Sequence, residues 1–97
     1  MSEKEMIQDQ ISSLLDARNY LLGQQRSDMV ALAHVTEMIV DLNARQMALS
    51  RPPSIPQVDP SVVTALRAAI QALDNAIKAS AAATQILNAA TALAKLK

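Results

Sequence analysis

From Ile7 to Leu49 a seam runs in alternating steps of four and three residues. Its positions are Ile7, Ile11, Leu14, Arg18, Leu21, Gln25, Asp28, Leu32, Val35, Ile39, Leu42, Gln46 and Leu49, of which nine of 13 are large and apolar. That spacing marks one face of a helix packed along its length. The same rule gives Val63, Leu66, Ile70, Leu73, Ile77, then Ser80, Thr84, Leu87, Thr91 and Ala94. β-Branched residues are scattered, without the period-2 runs of strands. The pattern predicts an all-α chain.

Punctuation divides it. All four prolines fall within Arg51–Pro60. Pro52, Pro53 and Pro56 lack the amide a helix needs and push the preceding residue toward extended geometry. Asp59-Pro60 reads as an N-cap followed by proline at the first helical position. A single all-helical domain over residues 1–97 follows: a helix at about 3–50, a Pro-rich connector at 51–58 and a helix at about 60–97. The fold expected is a long, coiled-coil-like antiparallel hairpin. A three-helix bundle is the alternative, because Gly23–Asp28 has no apolar side chain. Gly23 could cap one helix and Ser27 open the next.

A hairpin folded at the connector sets Ile39 near Ile70 and Leu32 near Ile77. It also gathers the polar seam positions Arg18, Gln25, Asp28, Ser80, Thr84 and Thr91 into a register-setting layer. Residues 3–11 would then overhang. Met6, Ile7 and Ile11, widened by Leu15 and Leu22, are thus the expected partner-binding surface.

Between Met29 and Leu49 the polar stripe is narrow, namely His34, Glu37, Asp41 and Arg45, and the remaining circumference is largely Met, Val, Ala, Leu and Ile. A lone hairpin buries one side of each helix only. Two hairpins joined as a four-helix homodimer would bury more.

Composition narrows the function. The 97 residues include 18 Ala and 12 Leu, strong helix formers. Tyr20 is the one aromatic residue, Gly23 the one glycine, and there is no Cys. Nine basic and nine acidic groups give zero net charge, with no basic run to neutralise phosphates, so no nucleic-acid partner is expected. Residues 1–51 carry net −2 and residues 52–97 net +2. The charged start is not a signal peptide, and the uncharged stretch Ala79–Ala94 is shorter than the ~20 residues of a spanning helix. A cytoplasmic protein without a membrane span is expected.

His34, Glu37 and Asp41 share a face that a metal could use, but one His with two carboxylates reads better as a solvated stripe holding an Asp41–Arg45 pair. One His, one Gly and no paired carboxylates in a pocket leave no expected catalytic site, cofactor or phosphate loop. Pro53-Ser54-Ile55-Pro56 fits a PxxP ligand pattern, and reads better as a stiff connector. The functional expectation is a small, non-enzymatic interaction module that self-associates and binds another protein as adaptor, chaperone or inhibitor. The alternative is a structural subunit of a larger helical assembly, such as a phage particle or secretion apparatus.

Overall fold

The computed structural model describes residues 1–24, 28–49 and 57–96, and these hold four helices: α1 (Glu3–Leu22), α2 (Met29–Leu49), α3 (Pro60–Lys78) and α4 (Ala83–Ala94). Both long helices expected from the seam are therefore divided. Gln25, Ser27, Ser50 and residues 51–56 of the connector, with the PxxP pattern, lie outside the described residues.

Each boundary has a local cause. Ser2 opens α1 with a capping box, its hydroxyl oxygen accepting from the Glu5 amide at 3.1 Å while the Glu5 carboxylate reaches back. Gly23 closes α1 in a right-handed conformation, φ −80°, and its N–H bonds back to Asn19 and Tyr20. Asp28 opens α2. Its Oδ1 accepts from the amides of Val30 at 3.1 Å and Ala31 at 3.0 Å. Asp59 and Pro60 open α3 as expected, although the Asp59 side chain makes no cap bond.

The break between α3 and α4 has no glycine. Ser80 takes φ 54°, in the left-handed region. Its N–H bonds to the Ile77 carbonyl at 3.1 Å, and Ala81 N–H bonds to the Ala76 carbonyl at 3.0 Å. These are the two bonds of a Schellman C-cap, with serine where glycine is usual.

Cross-links fix the directions. Arg45 pairs with Glu3 at 3.0 Å, and Gln46 Nε2 donates to Gln8 Oε1 at 2.8 Å, so α2 returns antiparallel to α1. Gln10 Nε2 donates to the Leu93 carbonyl at 2.9 Å, and the Tyr20 hydroxyl to the Ala81 carbonyl at 2.8 Å. α4 thus also runs antiparallel to α1, about seven positions away from the register the hairpin implied. Ser2 bridges Gln57, and Val58 N–H reaches the Met1 carbonyl at 3.0 Å, which puts the start of α3 beside the start of α1.

α1 packs on all three other helices, α4 packs on α2 and α3, and α2 and α3 do not approach each other. The section is a flattened rhombus with α1 and α4 across the short diagonal, matching principal extents of 47 × 24 × 15 Å. The expected Ile39–Ile70 and Leu32–Ile77 neighbours instead face the core from opposite corners.

The seam itself persists where it was apolar. Ile7, Ile11, Leu14, Leu21, Val35, Ile39, Leu42, Leu66 and Leu73 are buried. Beyond Ser80 the phase changes, and Ile86, Ala90 and Leu93 carry the core while Thr84 is exposed. α1 buries the broadest face, including Met6 and Gln10, because it has three neighbours. No described helix is long and apolar enough to cross a membrane.

Candidate interaction surface

α2 sits at an acute corner of the rhombus and touches only α1 and α4. Its inward face is Ala31, Val35, Ile39 and Leu42. The opposite face carries a second stripe on the same three–four spacing: Val30, Ala33, Glu37, Val40, Ala44 and Met47, every one exposed. Five of the six are apolar, and Val30, Val40 and Met47 are 68%, 59% and 74% exposed. Met29, 68% exposed, extends the upper end. Isolated exposed apolar residues are ordinary, but a continuous row along one helix is what docking surfaces look like. The stripe spans about 26 Å at 1.5 Å per residue. Polar groups border it: His34 and Asp41 on one side, Thr36 and Asn43 on the other.

The expected partner-binding residues divide differently. Met6, Ile7 and Ile11 are buried at 0%, 0% and 5% exposure, because the returning end of α2 and the start of α3 cover what a hairpin would leave overhanging. Leu15 and Leu22 remain exposed on α1. The five polar seam residues that the structure describes are not brought into one layer. Asp28 is an exposed N-cap, Ser80 is the left-handed residue that follows the Ala79 C-cap of α3, and Thr84 is exposed on α4. The Thr91 hydroxyl donates to the Leu87 carbonyl one turn back, Arg18 is half-buried on α1, and Gln25 lies outside the described residues. Arg45 pairs with Glu3 rather than Asp41.

Two open clefts flank the bundle. One, about 440 Å³, lies between α1 and α3 and is lined by Asp16, Asn19, Tyr20, Asp74, Ile77 and Lys78. The other, about 240 Å³, lies between α2 and α4, where Asp41, Arg45 and Lys95 rim an apolar floor. His34 lines neither cleft. Among the described residues no three His, Cys, Asp or Glu side chains are grouped to hold a metal ion.

The α2 stripe does not stand out in the sequence because its apolar residues merge with the seam into one broad apolar circumference beside the narrow polar stripe. Its signal is nonetheless in the chain, as a second 30-33-37-40-44-47 row offset from 28-32-35-39-42-46-49. No family model matches the chain, and no curated protein or solved structure matches it either.

Proposed function

We propose that the protein is a small, non-enzymatic, self-associating protein–protein interaction module of the cytoplasm, an adaptor, chaperone or inhibitor whose contact surface is the outer face of α2. The observation that carries this reading is the row Val30, Val40 and Met47, each more than half exposed on a helix whose opposite face is already packed. Burying such side chains is worth roughly 1.5–3 kcal/mol each when complete. The contact residues move from the N-terminal segment to α2, since Met6, Ile7 and Ile11 already serve the core.

Sedimentation velocity over a wide concentration range tests it, with Val40→Asp and Met47→Asp as probes. Both positions are exposed, so the double variant should keep wild-type helicity and melting yet lose association. Association that survives both substitutions would place the contact elsewhere and remove this reading. Growth into open-ended polymers would make the chain a subunit of a larger helical assembly instead.

A further inference from the structure

The α2 stripe has a property that its apolar character alone does not require: it is self-complementary only when reversed. Superposing the row on a second copy in the opposite direction sets Val30 against the partner's Met47, Ala33 against the partner's Ala44, and Glu37 against the partner's Val40. The remaining layers repeat these by symmetry. Large faces large at both ends, small faces small inside them, and each charged Glu37 faces an apolar residue. A contact in which residue i meets residue j and j meets i is what a two-fold interface demands.

A parallel pairing fails this comparison. It would stack Glu37 directly on the partner's Glu37 in one layer, whereas reversal offsets the two carboxylates by three residues, about 4.5 Å, along the axis. Reversal also orders the borders. His34 comes beside the partner's Asp41, and Asp41 beside the partner's His34, an imidazole N–H donor against a carboxylate acceptor on both halves. On the other border Thr36 meets the partner's Asn43. Each match uses residues that are exposed in the single chain. The corner position of α2, touching only α1 and α4, leaves the approach clear on both flanks. The two alanine layers allow axes near the short end of the usual 8–10 Å range.

We infer that the occupant of the α2 face is a second copy of this chain, with the two α2 helices antiparallel about an axis between Glu37 and Val40. This rests on the α2 face being the contact surface and goes further by fixing partner, direction and register.

The chain has no cysteine, so introduced thiols report uniquely. Ala33→Cys and Ala44→Cys variants are prepared separately, both at exposed positions that leave the core untouched. Under mild oxidation the mixture of the two should form a 33–44 disulfide-linked dimer, and each variant alone should link several-fold less. Facing layers bring β-carbons within disulfide reach, whereas 33 to 33 in the antiparallel pair lies about 11 residues apart along the axis, some 16 Å. Efficient linking of Ala33→Cys to itself would show a parallel pair and overturn this inference while leaving α2 as the contact surface. An unlinked mixture whose parent association is abolished by Val40→Asp would overturn the register alone. Association indifferent to Val40→Asp, or a parent chain that stays monomeric at every concentration, would overturn the inference outright.

Discussion

The phenolic hydroxyl of Tyr20, on the last turn of α1, donates to the backbone carbonyl of Ala81 at 2.8 Å. The bond joins the C-terminal end of α1 to the turn between α3 and α4, residues 61 positions apart in sequence. The N–H of the same Ala81 closes the Schellman cap on the Ala76 carbonyl, so the only aromatic residue of the chain anchors the least expected turn. Tyr20→Phe keeps the half-buried ring and removes the donor alone. It should lower stability by about 0.5–1.5 kcal/mol, read as a shift of the denaturant midpoint with unchanged slope. An unchanged midpoint would mean that water replaces the tyrosine at no net cost.

Ser80 holds the left-handed position of that cap at φ 54°. A residue with a β-carbon is disfavoured there by roughly 1–2 kcal/mol, and glycine is not. Part of the gain is lost to the greater freedom of an unfolded glycine. Ser80→Gly should therefore stabilise the protein by about 1 kcal/mol, raising the melting temperature by about 4–8 °C for a domain of this size. Ser80→Val should do the reverse. If glycine lowers the melting temperature, the left-handed assignment does not hold.

How much of this was legible depends on what marks a helix end. The inward seam of Ile7, Leu14, Val35, Leu42, Leu66 and Leu73 was readable because burial follows directly from spacing. The turn at Ser80 was not, because the usual glycine is absent and Ala79–Ala83 reads as helix on propensity alone. Yet the seam turned polar there, at Ser80, Thr84 and Thr91, while Ile86, Ala90 and Leu93 opened a new phase. That loss of phase marks a break, and two helices continuous through Gly23 and Ser80, folded at the connector, are what give the long hairpin and its overhang. Once α4 turns back and α2 folds onto α1, Met6 and Ile7 are inside.

Gln10 is fully buried, and its amide nitrogen donates to the carbonyls of Leu93 at 2.9 Å and Leu96 at 3.1 Å. It closes the C-terminal end of α4, where carbonyls otherwise lack helical partners. Gln10→Leu preserves the approximate volume and removes the donor. It should cost about 1–3 kcal/mol, with α4 amides losing hydrogen-exchange protection before those of α1. A variant as stable as the parent would show that these carbonyls are satisfied without the glutamine.

Gly23 ends α1 at φ −80°, and a β-carbon placed there would meet the Asn19 and Tyr20 carbonyl oxygens at 3.5 and 3.6 Å, ordinary contact distances. A helix break at glycine commonly implies a left-handed cap that alanine would strain. Here the break is right-handed, so Gly23→Ala should stabilise by roughly 0.5–1 kcal/mol through the unfolded chain. A drop in melting temperature would indicate that this end of α1 is left-handed in solution.

Asp28 separates two accounts of the chain most sharply. In a buried seam layer, an aspartate lowers stability in return for register, and Asp28→Leu would raise the melting temperature. At an exposed N-cap it accepts from the amides of Val30 and Ala31, two of the donors that α2 cannot satisfy internally. Its negative charge also lies at the positive end of the helix dipole. Leucine supplies neither, and its side chain would gain little burial at an exposed position. Asp28→Leu should therefore destabilise by about 1 kcal/mol, within a range of roughly 0.5–2. Asp28→Asn and Asp28→Ser should recover most of the loss, because each keeps a side-chain oxygen able to accept. The loss should appear first at the α2 N-terminus, as faster amide exchange at Val30 and Ala31. A leucine variant that melts higher than the parent would return Asp28 to a buried seam and undo the division of the first long helix into α1 and α2.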